Sequence, residues 1–149
     1  MGMDVYGINP KLKGDKPEID WENNPSEQER ERYWEQDAKW HEENPGYYFR
    51  NNIWHWRPLW DFINVSCSHV LTEEEWEKGH FNDGLEIDEL KTKKIVDMLE
   101  SLVGADFLLD QFYTKWKEES TSGGDYPFNK ENVEEFIAFA KESGGFKIC

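Results

Sequence analysis

Seventeen consecutive residues, Asn44 to Trp60, contain no acidic side chain in a chain where 32 of 149 residues are Asp or Glu. The same stretch holds Tyr47, Tyr48, Phe49, Trp54, Trp56 and Trp60, with Arg50, Arg57, Asn51, Asn52 and His55 among them. Rings of this size bury about 150–250 Å² each, so such a block either supplies the core or is kept open as a recognition surface. Nothing else in the chain constrains the fold as strongly. Only 37% of residues are hydrophobic, against about 45–50% in a typical globular domain. The aromatic residues make up the shortfall, and a disordered chain would be depleted in them.

The formal net charge is −15. A charge of that size argues against duplex nucleic acid or an anionic membrane as partner, because neither finds a basic footprint. It leaves a solvated acidic surface, or a nucleic-acid mimic that fills a basic groove on a partner protein. The first 20 residues lack an apolar run, and no stretch approaches the ~20 apolar residues that span a bilayer. Tyr6 stands where a myristoylation pattern needs Ser or Thr. Two cysteines, Cys67 and Cys149, make no disulfide framework. A cytoplasmic protein is expected, with no membrane contact and no cofactor. A homo-oligomer stays open.

Along the chain, Met3 to Ile8 reads as a strand ended by Asn9-Pro10, and residues 11–25 as a loop. Ser26 and Glu29 form a capping box that opens a helix over 27–43. Its apolar stripe is thin, which places it on the outside. Asn44-Pro45-Gly46 ends it. Tyr47 to Trp56 reads as a strand, with Pro58 in the first turn of a following helix that carries Leu59, Phe62, Ile63, Ser66 and Val70. Thr72 and Glu75 form a second capping box, for a short helix ending at Gly79, and Asp83-Gly84 marks a turn.

Ile87, Leu90, Lys94, Met98, Leu99 and Leu102 trace a long helix. Leu108, Leu109, Phe112 and Trp116 trace another. Residues 118–125 read as a loop. Asn129 caps a last helix with Val133, Phe136, Ile137 and Ala140 inward, stopped by Gly144-Gly145. Phe146 to Cys149 either adds a strand or tucks Phe146 into the core. The pattern describes one α+β domain over 1–149, mostly helical, with a small sheet made from the N-terminal strand and the 47–56 strand.

Three pieces carry a resemblance. They are Met1-Gly2-Met3-Asp4-Val5-Tyr6-Gly7 with Asn9-Pro10; Tyr48-Phe49-Arg50-Asn51-Asn52 with Trp54 and Trp56-Arg57-Pro58-Leu59-Trp60; and Tyr126-Pro127-Phe128 with Glu131-Asn132-Val133, Phe136 and Ser143-Gly144-Gly145-Phe146 through Cys149. Together they resemble a family of small uncharacterised proteins of bacteriophages and bacteria. Longer members of that family carry a cysteine-rich insert ahead of the Tyr-Pro-Phe piece. Here residues 118–125 stand in that place without a cysteine, so a zinc role tied to the insert is not carried over. The phage setting implied by the resemblance points to a small protein that counters a host defence, an argument by association.

Sites for chemistry are scarce. Cys67, His69 and His80, with Cys149, suggest a metal site, but the spacing lacks a second close pair, and on a helix Cys67 and His69 would point roughly 200° apart and could not share a metal. No nucleophile elbow and no phosphate-cradling glycine loop is present. His55 and Asp61 form a conceivable acid/base pair, but nothing in their spacing fixes a geometry. No catalytic and no metal-binding residue is assigned, and an enzyme is the third reading.

The first reading is a non-enzymatic protein that sequesters a small anionic, nucleotide-like ligand in a pocket lined by Arg50, Asn51, Asn52, Trp54, His55, Trp56, Arg57 and Trp60. Aromatic faces stack a base, the planar guanidinium fork of Arg50 and Arg57 suits phosphate, and Asn51 and Asn52 read a base edge. If residues 53–57 are extended, Trp54 and Trp56 share one face. The second reading is an acidic inhibitor that binds a basic host protein, with the 27–43 helix and Glu73-Glu74-Glu75 supplying phosphate-like charge. A further alternative is that the rings are plain core and the arginines pair with carboxylates.

Overall fold

A computed structural model describes residues 2–119 and 126–149. The fold is α+β and mostly helical. Strand β1 (Gly2–Gly7) is followed by a long strap containing a 3₁₀ turn (Trp21–Asn23), then α1 (Glu27–Glu43) and β2 (Tyr48–Asn52). Next come α2 (Ile53–Ser66), α3 (Glu73–Lys78), β3 (Leu85–Ile87), α4 (Glu89–Leu102), α5 (Asp106–Glu119), α6 (Lys130–Ser143) and β4 (Phe146–Ile148). No helix among the described residues is long and apolar enough to cross a membrane.

The four strands form one antiparallel sheet in the order β2-β1-β4-β3. Period-two alternation turns Met3, Val5, Phe49, Phe146 and Ile148 inward. The opposite face carries Asp4 directly across from Arg50 and Tyr6 across from Tyr48. Helices α2 and α6 cover the inner face, α4 packs along α6, and α3 and α5 rest against α2. The buried side chains form a cluster that runs from the sheet through α2, α4 and α6.

Both expected capping boxes are present, at Ser26/Glu29 and Thr72/Glu75. The last helix buries Val133, Phe136, Ile137 and Ala140 as expected, and the C-terminal segment is both a strand and the carrier of buried Phe146. The 118–125 loop is only partly visible: Glu118 and Glu119 belong to α5, and 120–125 lie outside the described residues.

Three expectations need correcting. The 47–56 strand stops at Asn52, and the chain turns helical at Ile53. Asn52 is the reason: its side chain accepts from the His55 amide, an N-cap that starts the helix before Trp54. Pro58 therefore lies inside α2 rather than in its first turn. Next, Ile87 belongs to β3, a strand the sequence reading did not assign, and α4 turns Thr92, Ile95, Val96 and Leu99 inward. Leu90 and Met98, assigned to the inner stripe, are exposed. Finally, α2 ends at Ser66, so Val70 lies beyond it.

Candidate ligand-binding cleft

The change from strand to helix at Ile53 redistributes the aromatic block. On a helix, Trp56 and Trp60 sit one turn apart, and so do Trp54 and Arg57 on another face. The first pair goes inward. Trp56 and Trp60 are fully buried and stacked, with ring centroids 5.5 Å apart and an interplanar angle of 15°. Each indole N–H is satisfied by main chain of the α3 region: Trp56 donates to Gly79 O at 2.7 Å and Trp60 to Trp76 O at 2.8 Å. Gly79 has to be glycine here, because a Cβ would sit 2.1 Å from the Trp60 ring. These two tryptophans are core, which removes them from the expected ligand site.

Most of the other expected site residues also have structural duties. Asn51 is 8% exposed, and its amide exchanges two 2.9 Å hydrogen bonds with the Asn132 amide, joining β2 to α6. It has no edge left for a base. Asn52 caps α2, and His55 Nδ1 lies 2.9 Å from the same Asn52 oxygen. Arg50 stands on the outer face of the sheet with Nε 3.7 Å from Asp4. Tyr48 donates to the same carboxylate. Partial burial and that bond push the Tyr48 hydroxyl up to about 12.

Trp54 and Arg57 do come together. Trp54 is 51% exposed and its ring lies 5.0 Å from Tyr126. Arg57 approaches the Tyr126 hydroxyl at 3.5 Å and makes no ion pair among the described residues. Trp116 also packs on Tyr126, with ring centroids 5.5 Å apart. A cleft of about 790 Å³ opens between α2, α3 and α5, walled by Arg57, Asp61, Trp76, His80, Trp116 and Tyr126, with Trp54 outside its lining.

The back of the cleft is organised by Asp61, the one acid in α2. Its carboxylate accepts from Trp76 Nε1 at 2.9 Å, Trp116 Nε1 at 2.8 Å and His80 Nε2 at 2.8 Å. One side chain thus ties α2 to α3, α5 and the turn after α3. Burial pushes the Asp61 carboxyl up, but the three donors and the nearby imidazole outweigh it and hold the group below the usual carboxylate value. The spacing of His55 and Asp61 leaves their pairing open; the structure pairs Asp61 with His80 and holds His55 against Asn52. His80 Nδ1 faces the Glu77 carbonyl oxygen at 3.3 Å. Both ring nitrogens lie within reach of acceptors, which fixes the orientation of the imidazole. The pair orients the cleft wall.

The charge lining narrows what can enter. Glu77 and Glu119 stand on the rim with Asp61 behind them, against Arg57 and His80. A polyanion would be repelled, whereas a single anionic group has Arg57 to pair with. Trp76, His80, Trp116 and Tyr126 are not among the residues expected at a ligand site. A usable signal was there: a lone carboxylate in an apolar helix needs donors, and indole N–H groups are donor-only.

Among the described residues no three His, Cys, Asp or Glu side chains gather as metal ligands. Cys67 is buried, which pushes its thiol up to about 11 and away from reactivity. Compared with known protein families, curated proteins and solved structures, the chain matches none.

Proposed function

We propose that this is a non-enzymatic binding protein that sequesters a small, flat, nucleotide-like ligand with one anionic group in the cleft between α2, α3 and α5. The observation that carries the reading is a conjunction at one opening. Two neighbouring rings, Tyr126 and Trp116, wall a cleft of about 790 Å³ together with the Arg57 guanidinium, and the exposed Trp54 ring packs on Tyr126 just outside that lining. A base stacked on an aromatic side chain gains about 1–3 kcal/mol. A guanidinium pairs with a phosphate through parallel hydrogen bonds. The rim carboxylates Glu77 and Glu119 suit the amino edge of a nucleobase, which donates to Asp and Glu. In the phage setting that the sequence resemblance implies, holding such a ligand would withdraw a host defence signal.

Tryptophan fluorescence and thermal unfolding across nucleoside monophosphates, cyclic nucleotides and triphosphates test this. A bound mononucleotide is expected to quench fluorescence and raise Tm, since a ligand of the native state alone stabilises it. Arg57→Ala should weaken binding about tenfold or more, a loss of about 1.4 kcal/mol, and Arg50→Ala should leave it unchanged. Mass spectrometry should recover the ligand chemically intact. A flat response to the whole panel sinks the reading, and a converted ligand makes the protein an enzyme instead.

A further inference from the structure

Sharing none of the cleft's residues, a second set of rings lies open on the strap and α1. Trp21 and Trp34 are 49% and 56% exposed. Their centroids are 6.0 Å apart, and Tyr33 closes a triangle at 5.8 Å from Trp21 and 5.0 Å from Trp34. Among the described residues no other helix or strand packs extensively against α1, and Trp40, near its C-terminal end, is its one buried residue. From Glu27 to Gln36 every side chain but Tyr33 is exposed. The helix therefore projects from the core for much of its roughly 25 Å length.

The projection is held in shape. Trp40 Nε1 donates to Gly14 O, and Asn44 brackets Lys13 through both its main-chain groups, which pins the strap to the base of α1. Asp20 caps the 3₁₀ turn that presents Trp21, and the capping box at Ser26 fixes the start of α1. The rings are thus presented preorganised, which lowers the cost of docking.

We infer that Trp21, Tyr33 and Trp34 form a docking patch for a basic protein surface, one that offers Arg or Lys side chains around an apolar or guanidinium-bearing knob. Charge decides the occupant. Helix α1 carries seven carboxylates and three cations, a net −4, and Asp20 and Glu22 on the strap extend the acidic rim. A second copy of this chain, docked through the same patch about a two-fold axis, would set acids against acids. Nucleic acid would meet the same repulsion. A basic protein meets attraction at the rim, and its guanidinium groups stack on exposed indoles. Trp, Tyr and Arg are also the residues that dominate the energy of protein interfaces.

Display of a random-peptide library on the full chain at low ionic strength tests the patch. Selected peptides are expected to be rich in Arg and Lys with an apolar anchor, and to lose affinity as salt rises. The double substitution Trp21→Ala/Trp34→Ala should cut their affinity about tenfold or more. Both rings are exposed, so its unfolding midpoint should match the parent; the charge-reversing pair Glu22→Lys/Glu31→Lys, which leaves the rings in place, should weaken binding as well. The cleft variant Arg57→Ala should bind the peptides normally, so failure of the ligand reading leaves this one standing. Peptides that are neutral or acidic, that still bind the double variant, or that fail to be selected at all overturn the inference. So does a dimer in sedimentation velocity that the double substitution dissolves.

Discussion

Asp61 shows how one side chain can set the shape of a site without doing its chemistry. Two indole N–H groups and an imidazole converge on its oxygens within 2.9 Å, so the rings that wall the cleft are oriented by a shared acceptor. Removing it leaves three donors without a partner in a half-buried setting. Asp61→Ala is expected to cost about 2–4 kcal/mol in urea unfolding, and to alter tryptophan fluorescence because Trp76 and Trp116 lose their common anchor. Its pH dependence follows from the depressed carboxyl. The folded group holds its proton less tightly than the unfolded one, so its contribution is fully present above the ordinary carboxylate value of about 4 and is lost as pH falls from there through the lower folded value. Stability of the parent should decline on acidification in a step that Asp61→Ala lacks. An identical pH profile for both proteins would show that the carboxylate is not the anchor described.

At the scale of elements, α1 and α2 make opposite use of tryptophan. Helix α2 buries Trp56 and Trp60 under the sheet, while α1 buries only Trp40 and leaves Trp34 outside. A helix with so little tertiary packing leans on its local signals. Ser26 accepts from the Glu29 amide and Glu29 accepts from the Ser26 amide, and seven carboxylates crowd the same helix. Ser26→Ala should therefore cost about 1 kcal/mol locally. The expected readout is faster amide exchange over the first turns of α1 with the global unfolding midpoint unmoved, because that end contributes nothing to the core. A shift of the global midpoint would mean that α1 is packed more tightly than its contacts indicate.

Across the whole molecule, a formal charge of −15 on 149 residues places many carboxylates within a Debye length of one another. Among the described residues only a minority of them find cations, and most of those pairs lie on the surface, where each contributes little. Screening should therefore stabilise the fold: Tm is expected to rise between low salt and about 0.15 M, where the Debye length is near 8 Å. A Tm that falls with added salt would show that attractive pairs outweigh the self-repulsion.

Local signals settled much of this protein in advance. Capping boxes placed α1 and α3, a period of 3.6 placed the inner face of α6, and glycine stopped that helix, since each of these is decided by residues within one or two turns. The aromatic block was marked as decisive by its composition alone. Its division into core and cleft was not legible, because an alternating run of rings fits a strand as well as a helix until the Asn52 cap is given its weight. The meeting of Asp61 with Trp76, His80 and Trp116 likewise had no local signature: partners up to 55 residues apart converge only after α3 and α5 pack on α2. What short-range chemistry determined was the elements; which faces met, and hence where a cleft opened, depended on burying those elements against one another.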